Sequence, residues 1–101
     1  MKKFDCISAL KALGEENRLR IIRLLLKKQR SVNDIAEELE LSQYNVSKHL
    51  RVLKQADLLE LEKSGQQRLY SLASDFREHL ADNKNVLNLG CCQFDFNKLP
   101  R

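Results

Sequence analysis

The chain has 101 residues, of which 43% are hydrophobic and 32% charged, and its formal net charge is +4. These values are typical of one small globular domain, and no apolar run approaches the roughly 20 residues that a membrane-spanning helix needs. Three glycines, one proline and the lack of tryptophan favour helices over a β-sandwich. Residues 1–30 contain nine Lys and Arg against three Asp and Glu, and a basic segment favours a polyanionic partner such as nucleic acid.

The N-terminal residues start like a secretory signal peptide, but Asp5 and Lys11 interrupt the apolar segment that such a peptide requires. We therefore expect a cytoplasmic protein without a membrane segment. Three cysteines are an odd number, and in a reducing compartment they do not indicate a disulfide scaffold.

Two helices are predicted at the N-terminal end of the chain. The first runs from Phe4 to Leu13, with Asp5 as its N-cap and Gly14 as its C-terminal stop. The second covers residues 15–28, where an acidic start and a basic end both suit the helix dipole. Its wide apolar stripe consists of Leu19, Ile22, Leu25 and Leu26. We expect this second helix to lie at the centre of the core.

The next two predicted helices are joined by a tight turn. The sequence SVND, Ser31 to Asp34, has the form of a capping box and predicts a short helix from Val32 to Leu39. After the turn ELS, a new apolar period begins with Ser42 as N-cap. Its inward-facing residues are Val46, Leu50 and Leu53. Two helices separated by about three residues are typical of a helix-turn-helix.

A β-hairpin and a last helix are predicted after residue 57. The segments LLELEK and RLYSL alternate between apolar and polar residues, and SGQQ between them is a turn. Ser74 is expected to cap a last helix, which Gly90 ends. The apolar residues of that helix are Phe76, Leu80 and Leu87. The order α-α-α-α-β-β-α predicts a mainly α winged helix-turn-helix with a small β-hairpin wing.

Two long segments of the chain resemble a known family. LKALGEENRLRIIRLL and SVNDIAEELELSQYNVSKHLRVLKQADLLELEKSGQQRLYSL are similar to the ArsR/SmtB family of winged-helix repressors, over about residues 7 to 80. The resemblance is strongest in LSQYNVSKHLRVL and in the wing GQQRLYSL. It implies a sequence-specific DNA-binding transcriptional repressor that binds a palindromic operator as a homodimer. The chain then divides into a DNA-binding and dimerisation domain, residues 1–90, and a C-terminal tail with a cysteine pair, residues 91–101.

The resemblance also predicts which residues meet DNA, because polar and basic side chains near the N-terminus of a recognition helix reach the major groove. We expect base contacts from Gln43, Tyr44 and Asn45, and contacts to phosphate or the groove edge from Ser47, Lys48 and His49. Arg51 lies on the same outward side, and Ser42 serves first as N-cap and only secondarily as a contact. In the wing, Gln66, Gln67 and Arg68 approach the adjacent backbone or minor groove. For each residue the alternative is a side chain that is simply solvated.

The expected dimer surface lies on the first and last helices and consists of Ile7, Leu10, Phe76, Leu80 and Leu87. Two positions depart from the family pattern, since Glu40 and Asp57 stand where glycine is common. Asp tolerates left-handed backbone geometry far better than Glu. We therefore expect a slightly altered turn at Glu40.

The resemblance implies that an effector controls DNA binding, because family members commonly lose DNA affinity when a metal, metalloid or oxidant binds them. Residues 30–38 lack the cysteine motif of one known site, and the last helix has Asp75 and His79 without the second pair of a zinc site. Adjacent Cys91 and Cys92 resemble the C-terminal pair of arsenic-responsive members, which bind trivalent arsenic through three thiolates. Cys6 is the available third thiol, from either subunit.

Three interpretations of these cysteines stay open. Thiolates bind soft ions, so arsenite or another thiophilic metal ion on Cys91, Cys92 and Cys6 is the favoured effector. The same thiols would serve a redox or persulfide sensor if one of them is accessible and readily ionised. Cys91 and Cys92 are also small enough to pack as hydrophobic residues.

We do not expect an enzyme, and no cofactor is required. His49 and His79 lie on separate predicted helices, with no nucleophile motif and no phosphate-binding glycine loop. A winged helix that only contacts other proteins, without an effector, is the remaining alternative. Steep salt dependence of binding to duplex DNA distinguishes the DNA-binding protein from this alternative.

Overall fold

A computed structural model describes residues 5–98 as five helices and five short strands. The helices are α1 (Cys6–Leu13), α2 (Glu16–Leu25), α3 (Val32–Leu39), α4 (Gln43–Gln55) and α5 (Ser74–Asp82). The strands are β1 (Arg30–Ser31), β2 (Leu59–Ser64), β3 (Gln67–Leu72), β4 (Val86–Asn88) and β5 (Gln93–Asp95). The predicted winged helix-turn-helix is confirmed, with β1, β4 and β5 as additions. Phe4 and residues 99–101, which the predicted first helix and tail include, lie outside the described residues.

The core forms where α2 crosses the helix-turn-helix. Ile21 and Ile22 of α2 are fully buried, and so is the predicted apolar stripe of α4. That stripe consists of Val46, Leu50 and Leu53. Within residues 5–98, no helix has the length and apolar character to cross a membrane.

Side-chain caps fix both helices of the helix-turn-helix, as their sequence predicts. Ser31 accepts a hydrogen bond from the Asp34 N–H, and Ser42 accepts one from the Asn45 N–H. Between the helices, Glu40 adopts the left-handed conformation with φ 56°. This geometry costs a residue with a side chain roughly 1–2 kcal/mol, whereas glycine adopts it freely. The altered turn expected at Glu40 is therefore present. Glu40 ends α3 in a strained left-handed conformation, and the rest of this helix end is ordinary.

The wing is an antiparallel hairpin of β2 and β3, as predicted. Gly65, at φ 63°, occupies its turn. The register pairs Leu61 with Tyr70 and Lys63 with Arg68. The short strand β1 pairs with the other edge of β3, so the loop after α2 is attached to the wing.

The last helix is shorter than predicted. It ends at Asp82, and a second hairpin of β4 and β5 occupies the residues expected to continue the helix and begin the tail. The reason lies in the sequence DNKN, where Lys84 and Asn85 both adopt positive φ, which no right-handed helix can contain. The boundary predicted at residue 90, between the domain and its C-terminal tail, consequently falls inside the turn of this hairpin.

The cap predicted for the last helix is also wrong. The N-cap is Ala73, whose methyl group cannot accept a hydrogen bond. The carboxylate of Glu60 on β2 accepts from the Ser74 N–H at 3.1 Å instead. A residue distant in sequence supplies the cap, so the base of the wing is attached to α5.

Three residues of the predicted dimer surface belong to the core of their own chain. Phe76, Leu80 and Leu87 are fully buried. Phe96, which follows β5, packs edge-on against Phe76 with ring centroids 6.3 Å apart. The C-terminal hairpin covers the inward face of α5, so these side chains are not available to a partner subunit. Ile7 and Leu10 of α1, in contrast, are 55% and 37% exposed.

Candidate nucleic-acid interface

The first turns of α4 present a polar and basic surface to solvent. Of the eleven predicted DNA-contact residues, ten are exposed: Ser42, Gln43, Tyr44, Asn45, Ser47, Lys48, Arg51, Gln66, Gln67 and Arg68. Tyr44 is 74% exposed, which is unusual for a large aromatic side chain in a protein with a well-formed core. The Lys48 ammonium lies 5.8 Å from the centre of the Tyr44 ring, within range of a cation–π contact. A phenol and a cation therefore lie together on the exposed surface at the start of α4.

The wing carries a second cationic surface. Gln66, Gln67 and Arg68 are exposed at and beside its turn. Lys63 and Arg68 are direct cross-strand partners. Like charges directly opposite each other destabilise a hairpin unless an anion lies near them. Phosphate groups near this pair would remove the repulsion, which is consistent with the predicted contact to the DNA backbone.

His49 is placed differently from the other predicted contacts. Its side chain is only 17% exposed, and its Nδ1 lies 3.2 Å from the Glu15 carboxylate and 3.3 Å from the Arg18 guanidinium. Burial lowers the pKa of His49, with Arg18 and Lys48 acting in the same direction and Glu15 in the opposite one. The phosphate contact predicted for His49 stays a prediction, while its position assigns it to the contact between α4 and α2.

Arg18 connects this histidine to α1. Its Nε donates to the carbonyl of Ala12 at 2.5 Å, and one terminal nitrogen donates to the carbonyl of Lys11 at 3.3 Å. No role was predicted for Arg18, although the sequence carries a signal for one: Arg18 lies on the same face of the second helix as Ile22 and Leu25. A charged residue on an apolar stripe indicates a buried hydrogen-bonding role.

The three cysteines meet within one chain. Cys6 at the start of α1 and Cys91 form a disulfide, with Cα atoms 6.3 Å apart and a sequence separation of 85 positions. Cys92 carries a free thiol, and its Sγ lies 3.9 Å from that of Cys91. Cys6 therefore reaches Cys91 within a single chain.

The turn of the C-terminal hairpin holds the cysteine pair. The Leu89 N–H donates to the Cys92 carbonyl at 2.9 Å, and the Asn88 side chain accepts from the Gly90 N–H at 2.8 Å. Gly90 has φ 88°, a conformation that favours glycine. This turn directs Cys91 towards α1.

Among the residues that the structure describes, no group of three His, Cys, Asp or Glu side chains has a geometry that could hold a metal ion. The bond between Cys6 and Cys91 occupies two of the three sulfurs that the predicted arsenite site requires. Binding of arsenite or of another thiophilic ion by Cys6, Cys91 and Cys92 stays a prediction.

The family to which the chain belongs follows from its similarity to known proteins. A family model described as "Bacterial regulatory protein, arsR family" matches residues 15–60. The uncharacterised HTH-type transcriptional regulator MJ0229 of Methanocaldococcus jannaschii is 37% identical over an alignment of 93 residues that covers 88% of this chain and 96% of that protein. This chain belongs to the ArsR family.

This ArsR-family chain is also similar to two further proteins, one of them with a homodimeric solved structure. The transcriptional activator HlyU of Vibrio cholerae is 40% identical over 65 residues, which are 64% of this chain and 60% of HlyU. The structure of reduced HlyU matches with a TM-score of 0.65 and 34% identity, over 76% of this chain and 85% of that one. A homodimeric winged helix-turn-helix domain of Mb0332 from Mycobacterium bovis matches with a TM-score of 0.70 and 28% identity, over 77% and 72% of the two chains. All of these are named as regulators, in agreement with the prediction that the ArsR-family chain is not an enzyme.

Proposed function

We propose that this chain is a transcriptional repressor that binds a specific operator as a homodimer in the cytoplasm, and releases it when Cys6 and Cys91 are oxidised to a disulfide. The exposed start of α4, beside the cationic wing, supports the DNA-binding part of the proposal. The proposed contacts to DNA are Ser42, Gln43, Tyr44, Asn45, Ser47, Lys48, His49, Arg51, Gln67 and Arg68. HlyU is named as an activator, so repression is part of the proposal and needs its own test.

The proposed dimer contact is centred on α1. Ile7 and Leu10 expose apolar side chains there, whereas the inward face of α5 is already covered by the chain's own hairpin. The homodimeric Mb0332 domain supports a dimer for this fold. A two-fold axis between two recognition helices requires a palindromic operator, with half-sites about one helical turn apart.

The observation that carries the thiol proposal is the meeting of Cys6 and Cys91. Residues 85 positions apart come within disulfide range, and the bond would join the start of the proposed dimer helix to the C-terminal hairpin. With hydrogen peroxide as oxidant, the two thiols lose two protons and two electrons, the sulfur–sulfur bond forms, and the peroxide is reduced to two molecules of water.

The contacts around Arg18 provide a route from these thiols to DNA. Cys6 begins α1, and the carbonyls of Lys11 and Ala12 near its other end accept hydrogen bonds from Arg18. Arg18 in turn contacts His49 on the recognition helix. A shift of α1 on oxidation would therefore change how α4 is held against α2.

The test is binding of the full chain to a duplex from its own promoter region, compared with a random duplex, in dithiothreitol and after peroxide. We expect oxidation to weaken operator binding by roughly 5- to 150-fold, the usual range of coupling between two sites. Cys6→Ser should abolish this response, while Cys92→Ser, the matched control, should keep it. A transcription assay on the same promoter should give less transcript with the reduced protein than with the oxidised protein.

Each part of the proposal has a result that contradicts it. Equal affinity for the promoter and the random duplex would exclude specific DNA binding. A normal peroxide response in Cys6→Ser would exclude the disulfide. More transcript with the reduced protein would exclude repression.

Arsenite is a second candidate effector, and one observation favours it. The sulfur of Cys92 lies 3.9 Å from that of Cys91, so reduction of the disulfide would leave three thiols together. Trivalent arsenic bound by three thiolates requires Cys92, whereas the disulfide does not. The test uses protein that has been reduced and then freed of dithiothreitol. Arsenite should release DNA from the wild type but not from Cys92→Ser, and a retained response in Cys92→Ser would exclude the three-thiolate site.

A further inference from the structure

A hydrogen bond joins the two helices of the helix-turn-helix on their exposed side. The side-chain amide of Gln43, the first residue of α4, donates from Nε2 to Oδ1 of Asn33 in the first turn of α3. Both side chains are exposed, so the contact contributes little to the core. It instead determines how the Gln43 amide is oriented at the surface proposed to face DNA.

The donors and acceptors that remain on Gln43 match one base. A primary amide has two N–H groups and one oxygen, and Asn33 takes one N–H. The remaining N–H and the oxygen complement adenine, which presents the N7 acceptor and the N6 amino donor in the major groove. Guanine presents two acceptors there, N7 and O6, and a Gln43 amide held in this way has only one N–H left to offer.

We propose that Asn33 is a positioning residue for base recognition: it holds the Gln43 amide so that Gln43 selects adenine and rejects guanine. The inference rests on the proposed function, because it assumes that the start of α4 enters the major groove. It adds to that function a residue outside the recognition helix and a preferred base pair.

The test is selection of bound duplexes from a random library by the reduced full chain, followed by sequencing. We expect the wild type to select an A·T pair at one position of each half-site, with guanine disfavoured there by roughly 5- to 150-fold, the range for a good bidentate contact. Gln43→Ala and Asn33→Ala should both lose the preference at that same position. Gln29→Ala, which removes another exposed amide just before β1, should keep it.

Asn33→Asp separates orientation from other effects of the substitution. Aspartate keeps an oxygen that accepts from Gln43 and offers no N–H, so the adenine preference should persist, although added negative charge lowers affinity for every duplex. Because residue 33 is exposed, these variants should unfold at nearly the wild-type temperature.

The possible failures are distinguishable. If the wild type selects no sequence, the proposed function and this inference both fail. If it selects a sequence but Asn33→Ala keeps the full preference, or Asn33→Asp loses it, only the role of Asn33 is excluded. If Gln43→Ala changes nothing at any position, Gln43 does not read a base and the inference fails while specific binding stands.

Discussion

Replacement of Phe96 by alanine is expected to lower the free energy of unfolding by about 3–5 kcal/mol, the usual cost of removing a buried phenylalanine. Phe96 is 1% exposed and packs against Phe76 of α5. Small domains are stable by only about 5–15 kcal/mol, so this variant should be partly unfolded at moderate temperature. Urea unfolding in dithiothreitol measures the effect without a contribution from the disulfide.

Phe94→Ala is the matched control for this prediction. Phe94 stacks on Phe96 with ring centroids 6.3 Å apart, but its side chain is only half-buried, so its removal should cost clearly less. Similar losses for the two variants would contradict the burial of Phe96. A negligible loss for Phe96→Ala would mean that residues 91–98 are a tail, as the sequence predicted, rather than part of the domain.

Substitutions at Arg18 and Glu15 are expected to move the pKa of His49 in opposite directions. Arg18→Gln removes a cation beside Nδ1 and should raise the pKa, whereas Glu15→Gln removes an anion and should lower it further. Arg18→Gln should also cost about 1–3 kcal/mol of stability, since the buried carbonyl of Ala12 loses a charged donor. NMR titration of the His49 ring measures the pKa directly.

Glu15→Gln is the control for the fold, because glutamine keeps an oxygen that can accept from the Asn17 N–H. If both variants shift the pKa of His49 in the same direction, the ion-pair geometry around His49 is wrong. A shift in neither variant would mean that burial alone sets this pKa.

The lowered pKa of His49 also fixes the sign of a pH effect on stability. The unfolded chain holds this proton at the ordinary pKa of 6.5, more tightly than the folded chain does. The contribution of His49 to stability is therefore complete above pH 6.5, and it is lost as the pH falls through the lower pKa of His49 in the folded protein. The pH range over which this stability changes lies between the folded pKa and 6.5. Arg18→Gln should narrow that range and Glu15→Gln should widen it.

The helix-turn-helix and the wing could be predicted from sequence because their signals are local. Ser31 and Ser42 cap the helices that follow them, and Gly65 lies in the turn of an alternating hairpin. Each signal acts within a few residues, and neighbouring signals agree. The exposure of the contacts predicted on α4 followed from the same periodicity, since burial of one face of α4 leaves its other side chains outside.

The C-terminal region could not be predicted in this way, because its structure depends on distant partners. The strands β4 and β5 have three residues each, too few for an alternating pattern to stand out. They are held by burial of Leu87 and Phe96 against α5. The cap of α5 comes from Glu60, and the contact between Asn33 and Gln43 joins two helices, so neither has a signature in the adjacent sequence.

The bond between Cys6 and Cys91 has a consequence for the lifetime of the protein. It closes a loop whose ends lie 85 positions apart in sequence, and the chain-entropy estimate for a loop of that length is about 4.5 kcal/mol of added stability. If oxidation releases the operator, as the proposed function requires, the released molecule would resist unfolding and degradation better than the reduced protein. Protease digestion should be slower for oxidised than for reduced protein, and equal for both in Cys6→Ser. The cell would thus keep a store of inactive regulator, which a reductant could return to DNA without new synthesis.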